Sequence, residues 1–472
     1  MLGRFRQPLD RGALTLGSLL VIGVLALLLV GDRTAPQVRS FNWANRDVGA
    51  DDPALLFTFD RPMNAASVEQ GFRLEPPLPG RFSWAGRRMA FTPDRPLPYG
   101  RDFRVQLLGG QGRDGRSVAL KPYASTFRTR HRAFAYLGLE GPEAGRLALY
   151  DFTDRRHTPL TPPNLRVLDF LPYPQGNRIL VSAVPSGTTD PTLAQLYSVS
   201  TGLNYCPPDP ADCQRHPRGE MTLLLDNRDH QNLRFDLAAD GRTLVVQRIP
   251  RNDPSATVEL WRLREGEWPQ TLARDPGGEF LIAPDGASLA IAQGQGLTVL
   301  SLDPERPALD FLPKFGRVLR FSPDGSQALV VRFNSDFTQS LFRVGSAAPE
   351  QQLLRLSGSF ESARFDPTGR RIYLLVNRQS GPQGGTEQVL ALDLAANGAP
   401  LGPAQPLVQL AAGNGTTVDL SPDGLALILD QRTTQGGSAL WLVPLTPPGR
   451  ESDRPAPPQV FDFPGQRPKW LP

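Results

Sequence analysis

The chain has 472 residues, 40% of them hydrophobic and 21% charged, with a formal net charge of only +4. That is room for two to four folded domains with real cores. The charge is spread without blocks of like sign, so the high pI reads as a mildly basic surface and argues against a nucleic-acid binder. The 48 prolines are about twice the usual share of roughly 5%, and they sit beside turn residues along the whole length. Such punctuation suits many short strands better than long helices.

Residues 1–12 carry Arg4, Arg6 and Arg11. Residues 13–30 (ALTLGSLLVIGVLALLLV) carry no charge. As a helix this run is about 27 Å long, just enough to span a bilayer core. The flanking arginines predict a cytoplasmic N-terminus and a chain that continues outside the cytoplasm, periplasmic or extracellular, as a single-pass membrane protein. A cleaved signal peptide is the rival reading. The apolar run is long for one, and no Ala-x-Ala site follows. Residues 31–37 form a linker.

Residues 38–130 read as about seven short strands with turn signals every 8–12 residues, the pattern of a β-sandwich. The segment contains Phe59-Asp60-Arg61-Pro62-Met63-Asn64, then Trp84-Ala85-Gly86, Leu97 to Val105, and Phe127-Arg128-Thr129. On these motifs it resembles the bacterial Ig-like domains of surface-layer proteins, with Phe103 where the family usually has Tyr. The resemblance implies a spacer or adhesive module without chemistry. Trp84 and Phe91 are expected to face the core.

Residues 131–472 repeat one unit. An aromatic or Leu precedes a turn ending in Gly at positions 176, 241, 286, 325, 369 and 424, and an apolar strand follows each time. Phe321-Ser322-Pro323-Asp324-Gly325 is the cleanest copy. A second apolar strand in each unit fits a four-stranded blade, with Asp-Gly at the positive-φ positions of a tight turn. Residues 135–152 look like strands that lack a first strand. Lys469-Trp470-Leu471-Pro472 aligns with Arg364-Phe365-Asp366-Pro367 and looks like a first strand with nothing after it. One blade shared by both ends gives a β-propeller of seven blades, closed by the C-terminal strand. Six blades is the alternative if 165–228 is irregular. The repeat resembles the propellers of TolB-like proteins and of prolyl oligopeptidase-type peptidases. That resemblance implies the fold and little about function.

The fold class expected is therefore all-β: an N-terminal transmembrane helix, an Ig-like β-sandwich and a β-propeller. No G-x-S-x-G, H-E-x-x-H or Walker motif occurs, and His131, His157, His216 and His230 have no metal-ligand spacing. No catalytic, cofactor-binding or metal residues are therefore assigned. Cys206 and Cys213 enclose a Pro-rich loop and are expected to form a disulfide on the oxidising side of the membrane. Asn414-Gly415-Thr416 is a glycosylation sequon by pattern. The function expected is non-catalytic: an envelope protein whose propeller binds a protein, peptide or glycan, with 185–230 as the partner-binding insertion. The alternatives are a channel-site enzyme, lactonase-like or glycan-cleaving, and a regulatory propeller for a separate hydrolase.

Overall fold

The computed structural model describes residues 8–30, 34–50, 52, 54–94, 97–113, 118–203, 216–253, 255–274, 278–293, 296–303, 305, 310–345, 348–379, 385–410, 415–432, 437–446 and 457–472. Two compact units emerge: residues 1–48, 52–97 and 101–129 in one, and residues 49–51, 98–100 and 130–472 in the other. A helix, α1 (Pro8–Val30), opens the chain. Its side-chain surroundings are described only for residues 12–24, all exposed. Among the described residues no helix is long and apolar enough to cross a membrane.

The first unit is a sandwich of two four-stranded sheets. One has the order Val38–Phe41, Leu55–Phe59, Arg88–Pro93, Gly80–Ala85. The other has the order Asp47–Val48, Tyr123–Thr129, Asp102–Leu107, Phe72–Glu75. Alternating side chains fill the space between them. Phe57 is wholly buried and stacks on Phe41 at 4.4 Å, and Phe103 stacks on Phe127 at 5.0 Å. The Pro62-Met63-Asn64 step has a local cause. Met63 is buried, and the Asn64 side chain accepts the Ser67 N–H to cap a short helix, α2 (Ala65–Gly71). Phe91 faces the core as expected. Trp84 is only partly buried, stacked on Phe59 and donating its indole N–H to Glu69 at 2.8 Å.

In the second unit the described residues form seven four-stranded antiparallel sets, here called blades 1 to 7. Blade 2 is Leu165–Pro172, Arg178–Pro185, Gln195–Ser200 and Met221–Leu225. Blade 3 is His230–Leu237, Thr243–Pro250, Glu259–Arg264 and Gln270–Arg274. Blade 4 begins at Phe280–Ile282 and blade 5 at Arg317–Phe321. The long strand Ala348–Phe365 ends blade 5 and begins blade 6. Blade 7 is Val418–Leu420, Ala426–Arg432, Ser438–Pro444 and the first part of Gln459–Trp470. The second part of that strand pairs with Ala133–Gly138 and so begins blade 1, setting Trp470 opposite Phe134 and Lys469 opposite Ala135. At the handover stands Gly465, where a Cβ would meet Leu440 at 2.8 Å and Tyr136 at 2.7 Å. The described residues of 165–228 form a regular four-stranded set, the case in which seven blades rather than six are expected.

The repeated turn has a reason beyond backbone freedom. All six turn glycines have φ between +64° and +71°. The aspartates beside them do not share that region, contrary to expectation. Instead their carboxylates accept the next N–H groups: Asp240 from Arg242 and Thr243, Asp285 from Ala287 and Ser288. At four of the six turns the proline of the preceding blade also packs against the glycine. Pro174 of blade 2 lies under Gly241 of blade 3, Pro284 under Gly325, Pro367 under Gly424, and Pro472 under Gly176. Pro472 thus takes the place of the repeat proline in blade 1.

Candidate functional site

The first strand of each blade carries one residue at the same register position, two before the turn residue that closes on strand two. These are Lys469, Leu171, Asp236, Leu281, Arg320, Arg364 and Asp419 for blades 1 to 7. A register shift precedes this position in blades 1, 2, 3, 5 and 6. Bulges of this kind re-aim side chains. Here they precede side chains that interact across blades.

Five of the seven residues are charged, and most are paired. Asp236 accepts the Ile282 N–H of blade 4 at 2.8 Å, and Asp419 accepts the Trp470 N–H of blade 1 at 2.9 Å. Arg364 Nε lies 2.9 Å from Asp419 Oδ1. Lys469 reaches Phe170 O and lies 3.6 Å from Asp169. Arg320 differs. It is exposed, and among the described residues it makes no ion pair or side-chain hydrogen bond. The Arg364 charge beside it, and then desolvation by surrounding protein, pull its pKa down to about 10, while Asp419 and Asp236 act the other way. Burial holds the Asp236 carboxyl above its ordinary range, against its two backbone N–H groups and the charges of Arg320 and Lys469. These positions thus present a guanidinium whose local neighbours do not fully compensate it. Such a group can take a carboxylate or phosphate.

Nearby, Glu279 joins two more arginines, Arg234 at 2.8 Å and Arg317 at 2.9 Å. Burial pushes its pKa up, but these partners outweigh burial and leave it lowered.

The histidines lie apart from these positions. His157 bonds Glu143, His216 bonds Glu220, and His230 packs on Trp261. His131 is brought to Asp151 at 2.8 Å, and with Asp154 they form a group whose ligand atoms lie within 4.8 Å of one another. No sequence spacing signals this group, because the hairpin of blade 1 assembles it. Its geometry is already satisfied without an ion. Asp151 accepts the Thr153 and Asp154 N–H groups, and Arg218 stands 3.8 Å away. Cys206 and Cys213, with residues 204–215 of the insertion, lie outside the described residues, as does Asn414.

Residues 32–129 match the bacterial Ig-like domain family. No curated protein matches the sequence. Among solved structures, TolB from Acinetobacter baumannii is similar at 11% identity and TM-score 0.43, over 85% of this chain and 83% of that one. An oligogalacturonate lyase from Vibrio parahaemolyticus is similar at 10% identity and TM-score 0.49, over 64% of this chain and 83% of that one. A putative 6-phosphogluconolactonase from Bacteroides uniformis is similar at 13% identity and TM-score 0.45, over 72% of this chain and all of that one. The chain carries a bacterial Ig-like domain followed by seven four-stranded antiparallel sets of strands. The structural likenesses concern the fold and say nothing of activity.

Proposed function

We propose that this is a membrane-anchored envelope protein whose propeller is a non-catalytic binding platform, with the Ig-like domain as spacer. On this reading the seven blades close into one ring, and the charged positions of their first strands line its channel. What supports closure is the pairing of one strand with both the last and the first blade. What supports the anchor is the sequence: the uncharged stretch 13–30 and the arginines before it. The N-terminus is then cytoplasmic and the rest periplasmic or extracellular. The partner is a protein or peptide that offers a carboxylate to the channel, although a uronate-bearing glycan has the same chemistry.

Arg320 carries the reading, because among the described residues it is the guanidinium of these positions without a direct partner. The test is titration of the detergent-solubilised full chain with a Glu-rich peptide and its Gln-substituted counterpart. The expected result is salt-sensitive binding of the acidic peptide alone, weakened about tenfold or more by Arg320→Ala. Equal binding by the variant sinks the site. Turnover of a lactone or uronate panel that Asp236→Asn abolishes sinks the non-catalytic assignment. Protease digestion of intact spheroplasts should remove the propeller, and its protection there overturns the topology.

A further inference from the structure

Blades 2 and 6 carry an arginine at the same register position, two residues after the turn glycine: Arg178 and Arg371. In blade 6 the residue opposite is Asp393. Arg371 grips it with two nitrogens, one pair at 3.1 Å, and donates to Thr446 O of blade 7 at 3.0 Å. In blade 2 the residue opposite is Ser200, whose hydroxyl is already used by Pro217 O and the Glu220 N–H. Arg178 therefore has the guanidinium without the carboxylate. It lies 4.7 Å over the Tyr173 ring, its Nε is buried without an acceptor, and no ion pair reaches it among the described residues.

The gap beside Arg178 is open for a second reason. Two residues earlier on strand three than the residue opposite, blades 3 and 5 carry Arg262 and Arg343, which span to the next blade and bond Leu302 O and Asn397 O. Blade 2 has Ser198 there. The space that the arginine fills in blades 3 and 5 is free in blade 2, and a pocket of about 550 Å³ lies between blades 2 and 3, within the range of small-molecule sites. Leu224, Leu237 and Leu263 line it, and Trp268, 89% exposed, stands at its rim. The lining is charged as well: Arg242 and Arg264 face it with Glu220, Glu265 and Glu267, of which Glu220 is paired with His216 and Glu267 with Arg262.

We propose that this cleft binds an organic carboxylate with an apolar body, which supplies to Arg178 what Asp393 supplies to Arg371. The apolar body lies over the leucines and against the Trp268 ring. Free fatty or amino acids and the C-terminal residue of a peptide share this chemistry. The site is separate from the first-strand positions and uses none of their residues.

Calorimetry on the full chain in detergent tests it, with octanoate, N-acetyl-leucine and an N-acetylated tripeptide ending in leucine as ligands. Binding of octanoate with the amino acid points to a free acid, and binding of the tripeptide alone to a chain terminus. The expected result is saturable binding that fails for the corresponding amides, weakens about tenfold or more in Arg178→Gln, and weakens in Trp268→Ala. Ser200→Asp should rebuild the blade 6 pair and block the site. Should that variant not fold, Arg178→Gln and the exposed Trp268→Ala decide the matter. Undiminished binding by Arg178→Gln, equal binding of amides, or no binding of any probe at millimolar concentration overturns the proposal.

Discussion

The sandwich and the propeller solve the same packing problem differently. The sandwich has one core, dense in aromatic rings, and each of its sheets has a single buried face. The second unit divides its apolar residues among several clusters shared by neighbouring blades, largely aliphatic except where blade 7 meets blade 1, which is rich in aromatic rings. Its first strands then bring charge together where the blades meet. A single core concentrates the cost of any defect. A repeated core distributes it and leaves room for one blade to differ from the rest.

The largest effect should come from the sandwich. Phe57→Ala removes a wholly buried ring that stacks on Phe41 and should cost about 3–5 kcal/mol. Denaturant unfolding should show the early transition of one unit, with the propeller transition unchanged. A single shifted transition would mean that the two cores are not independent.

Trp470→Ala probes the joined ends. The side chain is 4% exposed, stacks on Phe152 at 5.5 Å and lies in the strand shared by blades 7 and 1. A loss of about 3 kcal/mol is expected, with faster hydrogen exchange in 133–138. Unchanged exchange there would break the claim that the ends share a blade.

Gly424→Ala tests the stacking of turns. The residue has φ +70°, and a Cβ would sit 2.7 Å from Pro367 Cδ. Gly266 has φ +80° with nothing near it. Alanine at 424 should cost about 2 kcal/mol and at 266 only about 1 kcal/mol. Equal melting shifts would reduce the repeat proline to a local turn former.

The smallest effect concerns acid. Glu279 has a lowered folded pKa, so its contribution is present above the ordinary value near 4.5 and is lost as pH falls through the folded value. Because the group and its partners are partly exposed, the effect is about 0.5 kcal/mol. Glu279→Gln should flatten the acid limb of a stability-versus-pH curve by that amount. An unchanged limb would locate acid sensitivity elsewhere.

Much of the fold was legible because it is periodic. The Gly-ended turns marked strands one and two, the apolar runs marked strand three, and Lys469 to Pro472 aligned with Arg364 to Pro367 before any strand pairing was known. The fourth strands were harder. Gln405–Gln409 is mostly exposed and Asp310–Leu312 is short, so neither carries an apolar run to read. The candidate sites were not legible. Arg320 in a sequence is one arginine among many. Arg178 and Arg371 stand at the same distance from their glycines, but nothing local says that one faces Asp393 and the other Ser200.

The sequence by itself determined the strand units and the order of sandwich and repeat, because turn geometry and apolar periodicity act over a few residues. Only the tertiary structure decided which charges meet and which gap stays open. Register sets side chains from strands tens to hundreds of residues apart against one another, and no local pattern encodes that distance.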